Sequence, residues 1–213
     1  KSFLSGLIAR HLAQRNKLPG AEEAFICGMC QNLGENLVMY YFADEFEHIN
    51  ELQQSTGVDK AAAARVALNV SYSDLGAAVA KTWNLPRPII ESIRGIPPGP
   101  LAAPVSETEK LRDFAVFANE LCDLFEHCER DDIGKAIHRL LVRFEPSFSL
   151  KQEYCHQLIN ACNEKLKQFA PIFEINVAAS SYCRSVQSWL DAQGEADERD
   201  KGSALPVSGQ GAG

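Results

Sequence analysis

The sequence holds 213 residues, 46% of them hydrophobic and 23% charged, with a formal net charge of −7. That apolar content supplies a real core, and the length allows one large domain or two small ones; the acidic balance argues against a phosphate-binding surface and so against nucleic acid as a partner. No apolar run approaches the roughly 20 residues that span a bilayer, so no membrane insertion is expected, and seven scattered cysteines, an odd number, read as free thiols of a reducing cytoplasm and point to a cytoplasmic location.

In chain order, "KSFLSGLIARHLAQRNK" is a short amphipathic helix carrying Arg10, Arg15 and Lys17. It has no cleavage-site pattern, and without an initiator methionine the chain reads as a piece of something longer. Residues 21–33 place apolar side chains on every side of a helix, which predicts a central helix buried all round. Gly34 is expected to end it in the left-handed conformation, which puts Gln31 and Asn32 in its last turn. In "ADEFEHINEL", His48 reads as a solvent-facing residue among acids. "SYSDLGAAVAKTW" sets Leu75, Val79 and Trp83 on one helical face, with Ser71 and Asp74 marking the start. "NLPRPIIESI" follows, with Pro86 and Pro88 placed where a first helical turn tolerates them.

The stretch 95–104, "GIPPGPLAAP", has four prolines and two glycines and reads as a crossing loop. "SETEKLRDFAVFANELCDLFEH" then draws an apolar stripe through Leu111, Phe114, Ala115, Ala118, Leu121, Cys122 and Phe125, with Ser106 and Glu109 as a capping box. The arginines of "IHRLLVRF", 137–144, form a solvated helix edge. "SLKQEYCHQLINACNEKLKQF" has a second stripe, Cys155, Leu158, Ile159, Cys162, Leu166 and Phe169, with Ser149 and Gln152 as its cap signal. After "SVQSWLDAQG" the composition turns polar, and residues 191–213 read as a flexible linker or tail. No segment alternates with period two, so the chain is expected to be all-α without a sheet.

Two segments resemble a known family. "GMCQNLGENLVMYY", residues 28–41 with Gly28 and Gly34, is similar to the Gly-Leu-Leu-His-Asp-Ile-Gly segment of HD-type phosphohydrolases. "YSDLGAAVAKTWNLPRPIIESI" resembles their later His-Ala-Glu-Val-Gly segment. The string Trp83-Asn84-Leu85-Pro86, at its distance after Leu75-Gly76, resembles the HDOD branch, the HD-related output domains of bacterial signalling proteins. The resemblance covers residues 1–96 by motif and the remainder by helical character alone. It implies an all-α HD-like helical bundle with an additional C-terminal helical subdomain: one HDOD-like domain over 1–190, made of an HD-like half, 1–96, a loop, 97–104, and a C-terminal helical half, 105–190.

Catalytic HD proteins hold divalent metals with histidines and aspartates. By the resemblance, the His-Asp pair falls on Gln31 and Asn32 and the later histidine on Tyr72. The terminal His pair falls near Ile96 and Pro97, and the upstream histidine near Lys1 or Ser2, or before the start. None of these is a competent ligand at neutral pH. An amide lacks the charge or the strong nitrogen donor that offsets a cation's lost hydration, and a phenol with a pKa near 10 ionises only beside a metal already bound. Without ligands there is no metal-bound hydroxide and no hydrolysis. No catalytic residue, metal or cofactor is therefore expected. Gln31, Asn32 and Tyr72 mark a vestigial site whose buried amides need partners, helix-end carbonyls or Tyr72.

Other candidates have plainer readings. Cys27 and Cys30 form a C-x-x-C inside a hydrophobic run, with no preceding strand and no second pair to complete a zinc site. Cys155 and Cys162 share the core stripe, and His156 points elsewhere. Cys122, Cys128 and His127 are loosely spaced, and His11 is placed by the resemblance near the old site. The expected function is a non-catalytic signal-transduction module that acts by protein–protein interaction. Its partner would be a signalling protein or a fused output domain of diguanylate cyclase, phosphodiesterase, response-regulator or kinase type. The alternatives are a sensor that binds a nucleotide-type ligand in the vacated pocket and a residual metal-dependent phosphohydrolase.

Overall fold

A computed structural model describes residues 1–97, 99–172, 174 and 176–203, with side chains described to residue 192. The chain runs through α1 (Ser2–Arg15), α2 (Ala21–Cys30), α3 (Leu33–Tyr41), α4 (Ala43–Thr56), α5 (Lys60–Leu68), α6 (Tyr72–Thr82) and α7 (Arg87–Ile93). After the crossing loop come α8 (Glu107–His127), α9 (Arg130–Phe144), α10 (Gln152–Phe169) and α11 (Ser181–Ser203). Among the described residues there is no strand, and no helix is long and apolar enough to cross a membrane.

The Trp83-Asn84-Leu85-Pro86 string is a helix stop followed at once by a restart. Asn84 takes a left-handed φ of 55°. Its amide donates to the Lys81 carbonyl at 3.0 Å, and the Leu85 amide donates to that of Ala80 at 3.0 Å. These are the two bonds that close a helix end through a left-handed residue. Leu85 then packs back among Ala77, Ala80, Ile89 and Ile93, and Pro86 opens α7 with Pro88 in its first turn. The Ser71 hydroxyl accepts from the Asp74 amide at the start of α6. At α8 the Ser106 hydroxyl accepts from the Glu109 amide, while the Glu109 carboxylate reaches one residue further back than a capping box requires, to the Val105 amide.

The largest core joins Leu4, Ile8 and Leu12 of α1 to Phe114, Phe117 and Leu121 of α8 and to the inner faces of α9, α10 and α11. It therefore runs across residue 97 without a break. A second group joins Cys27 of α2, Ala77 and Ala80 of α6, Ile89 and Ile93 of α7, and Ala115 of α8. A third, Val38, Ile49, Ala63 and Ala64, lies under α3, α4 and α5. Helix α8 packs against α1, α2 and α7 as well as α9 and α11, so it is the axis of the molecule. Every residue of its expected stripe is buried. Arg143 on α9 fastens the crossing loop: its guanidinium pairs with Glu120 on α8 at 2.6 Å and donates to the carbonyls of Pro97 at 3.1 Å and Gly99 at 3.2 Å.

Several expectations change here. Helix α2 buries only Ala24, Cys27 and Gly28 and exposes Ile26 and Met29, so it is half buried. Gly34 does not end that helix. It lies inside α3 with an ordinary negative φ, and its role is contact: a Cβ there would overlap the Tyr72 carbonyl oxygen of α6. For the same reason the inward face of α6 carries Gly76, Ala77 and Ala80, which let backbones approach, and Trp83 of the expected stripe stays exposed. Ser149 caps nothing, because α10 starts at Gln152 after Lys151 and has no side-chain cap bond. Phe169 is exposed at the far end of its stripe but packs on Phe3. Helix α11 continues to Ser203, past the expected tail boundary at 191. Residues 204–213 lie outside the described residues.

Candidate functional site

Helices α2 and α3 meet at a tight turn made by Gln31 and Asn32. Because α3 begins immediately, both amides project from a corner and not from the last turn of one helix. The Gln31 Nε2 donates to the carbonyl of Ser92 in the last turn of α7. The Asn32 Nδ2 donates to Asn119 Oδ1 on α8 at 2.7 Å, and Asn119 Nδ2 in turn donates to Asp123 Oδ2 at 3.3 Å. The expectation of a helix-end carbonyl holds for Gln31, while Asn32 takes another amide.

Tyr72, at the start of α6, faces the same corner. Its hydroxyl is buried and has no hydrogen-bond partner among the described residues. Burial, aided by the charge of Glu35, pushes the phenol up to about 12, so it is not an anionic ligand at neutral pH. With Gln31, Asn32, Lys60 and Arg94 it lines a cleft of about 250 Å³. Across that cleft Lys60 pairs with Glu35 at 2.7 Å. Ile93, Arg94 and Gly95 form its wall where Ile96 and Pro97 were expected; Ile96 packs on the main core instead, and the Pro97 carbonyl faces Arg143.

An adjoining cleft of about 660 Å³ shares Asn32, Glu35 and Lys60 and extends to Lys1, Asp123, Glu126 and His127. Ligand atoms of Asp123, Glu126 and His127 lie within 4.8 Å of one another. The space between the two carboxylates is taken by an ammonium: Lys1 Nζ is 2.5 Å from Asp123 Oδ1 and 2.9 Å from Glu126 Oε2. Burial works against the charge of Lys1, and the hydrogen bonds and charges of Asp123 and Glu126 outweigh it and raise its pKa above the ordinary lysine value. Glu126 responds in the opposite sense. Burial raises its pKa, but the bond and charge of Lys1 carry it below the usual carboxylate value.

A divalent ion does not fit this donor set. The one triad of possible ligands among the described residues already holds a cation that is part of the chain. The neighbouring Gln31 and Asn32 are neutral amides that donate hydrogen bonds to Ser92 and Asn119, and the Tyr72 phenol stays protonated at neutral pH. Sequence reasoning placed Lys1 at the corner only through the resemblance and missed Ser92, Asn119, Asp123 and Glu126. A signal was present: Asn119, Asp123 and Glu126 follow at helical spacing on the polar edge of an otherwise apolar helix. Elsewhere, His11 is not part of the corner. It meets the Tyr154 hydroxyl of α10 at 2.7 Å, and burial followed by Lys165 and Arg15 lowers its pKa. All seven cysteines are free, and His48 is exposed beside Glu51.

Residues 1–96 match the family model of the HDOD domain. The HDOD match stops at Ile96, where α7 has ended and the crossing loop is under way. An uncharacterized protein of Treponema pallidum (strain Nichols) is 31% identical over 72 residues, which are 34% of this chain and 14% of that protein. Two crystal structures share the fold. An HDOD domain protein with unknown function from Geobacter sulfurreducens superposes with a TM-score of 0.55 at 20% identity, covering 88% of this chain and 60% of the other. A "Putative phosphohydrolase" from Shewanella amazonensis SB2B gives 0.54 at 17% identity, covering 89% and 61%. At these identities the likeness establishes the architecture, an HD-like helical bundle free of strands, and it extends well beyond the HDOD-matched segment. The chain spans less than two thirds of each of the three proteins.

Proposed function

We propose that this chain is a non-catalytic regulatory module that relays a conformational state to a partner protein or fused domain by protein–protein contact. The observation that carries the reading is the Lys1 ammonium seated between Asp123 and Glu126, beside amides that are themselves paired. A corner closed in this way cannot lower the pKa of a bound water, and it ties α1 and the α2–α3 turn to α8. Because α8 also packs on α9 and α11, a shift at the corner has a rigid route to the C-terminal helices. The division into an HD-like half, 1–96, and a C-terminal half, 105–190, belongs to this proposal, as do output domains of diguanylate cyclase, phosphodiesterase, response-regulator or kinase type, which rest on family analogy.

The test is a titration of the purified chain with Mn²⁺, Mg²⁺ and Fe²⁺ against a chromogenic phosphodiester and a nucleotide panel. The expected result is no turnover above the metal alone. Metal-dependent turnover that falls on Asn32→Ala would overturn the proposal in favour of a residual phosphohydrolase.

A second reading has one observation in its favour: Tyr72, whose buried hydroxyl has no partner among the described residues, and the exposed Arg94 both line the 250 Å³ cleft. A ligand with a hydrogen-bond acceptor and an anionic group would satisfy both. Thermal shift against nucleotides separates this sensor from a pure relay, since a ligand that binds only the folded state raises its melting temperature.

A further inference from the structure

The corner between α3 and α4 turns seven consecutive side chains, residues 39–45, toward solvent. Four of them are large and apolar or aromatic: Met39 is 52% exposed, Tyr40 79%, Tyr41 68% and Phe42 51%. The rings of Tyr40 and Tyr41 meet edge to face with centroids 4.8 Å apart, so they present one preformed surface. The two helices that carry them are anchored from below by Val38 and Ile49, both fully buried. Directly after the aromatic run, Asp44, Glu45 and Glu47 are exposed, and among the described residues none of them has a basic partner.

Water-exposed tyrosine, methionine and phenylalanine in one run is costly surface for a free protein, and these are residue types enriched at interface centres. The helix dipole accounts for acids in the first turn of α4; it does not account for the aromatic run before them. The rim of unpaired carboxylates selects the occupant. A two-fold contact with a second copy would set the same patch against itself, acid facing acid. Nucleic acid and anionic lipid surfaces are repelled by the same charge. We propose that Met39, Tyr40, Tyr41 and Phe42 form the docking knob for a different protein, one that offers an apolar socket rimmed by lysine or arginine. The role of this contact as an output rests on the relay function above, while the surface chemistry stands on these residues alone.

The test uses two synthetic amphipathic helical peptides with the same leucine and phenylalanine face, one with lysine and one with glutamate on the polar face. A scrambled lysine peptide of equal charge serves as control. Binding is read by fluorescence anisotropy and by amide shifts of the full chain. The lysine peptide is expected to bind, to perturb residues 39–47, and to weaken about tenfold with Tyr40→Ser/Phe42→Ser. These positions are exposed, so the double variant keeps the helical circular dichroism of the parent. Glu45→Lys/Glu47→Lys is expected to reverse the preference between the two peptides. Equal binding of the scrambled control, shifts confined to other surfaces, or a concentration-dependent dimer dispersed by Tyr40→Ser/Phe42→Ser would overturn the proposal. Metal-dependent turnover in the preceding assay would remove the relay role and leave this binding result standing on its own.

Discussion

Gly34 of α3 and Gly76 of α6 face each other with no side chain between them: a Cβ on Gly76 would lie 2.8 Å from the Gly34 amide nitrogen and 3.3 Å from its Cα. Both neighbours are main chain, so neither can rotate aside. The contact holds Tyr72 against the corner formed by Gln31 and Asn32. Gly34→Ala or Gly76→Ala is expected to cost about 3 kcal/mol, a fall in melting temperature on the order of 10 °C for a chain of this size. Gly134→Ala on α9 is the contrasting case. Its added methyl would meet only the Gln152 amide, at 3.8 Å, and the loss of a helical glycine is expected to raise stability by about 0.5–1 kcal/mol. Thermal denaturation of the three variants checks both signs.

The Lys1 ion pairs predict a particular pH profile. Glu126 has its pKa depressed in the fold, so its contribution is present above the ordinary carboxylate value and is lost as pH falls through the lower, folded one. Lys1 has its pKa raised, so its contribution is complete below the ordinary lysine value and is lost as pH climbs through the higher, folded one. Lys1→Met removes the cause of both. The variant is expected to be less stable than the parent at neutral pH and to lose less stability between neutral pH and the acid carboxylate range, as read by urea midpoints across pH.

Returning Asn32 to aspartate, the residue that the HD pattern carries there, is expected to harm the protein. Asn32 donates to Asn119 Oδ1, and Asn119 has its own donor engaged with Asp123. An aspartate would set oxygen against oxygen and add a third acid to the strip. Asn32→Asp is expected to destabilise by about 1–3 kcal/mol, and Mn²⁺ is not expected to recover the loss while Lys1 is present. Melting curves with and without the ion give the answer; full recovery by millimolar Mn²⁺ would contradict the closed-corner geometry.

The cysteines should react in an order set by burial. Cys27, Cys155 and Cys162 have thiols pushed up to about 12 by burial, and Cys122 to about 11 by burial in the first place. Cys128 is only half buried. Alkylation at mildly alkaline pH followed by peptide mapping is expected to label Cys128 first and those four only after unfolding, because the thiolate is the reactive form.

Helix content was readable because apolar spacing along α8 and α10 is long and regular, and the cap at Ser106 is a local event. What sequence could not show was how closely two backbones approach. Gly34 reads as a helix stop in one dimension, and its partner in space is Gly76, with more than forty positions of chain between them. The stripe on α6 misled for the same reason, since Leu75, Val79 and Trp83 are the large residues while the small ones face inward. At the corner, the resemblance pointed to Gln31, Asn32 and Tyr72, and these three line one cleft. The Lys1 ion pairs were not legible, because Lys1 at the start of α1 and Asp123 on α8 are far apart in sequence and only the fold brings them together.

Arg143 has a consequence for how the molecule can move. Its single guanidinium grips α8 through Glu120 and the crossing loop through two peptide oxygens. Swinging the first seven helices away from the last four would pull the crossing loop, and with it the Pro97 and Gly99 carbonyls, off that guanidinium, while its pair with Glu120 lies wholly within the last four helices and would stay closed. Motion that keeps this buckle fastened carries α8, α9 and the crossing loop as one piece, and it is the cheaper deformation because it leaves all three holds of Arg143 in place.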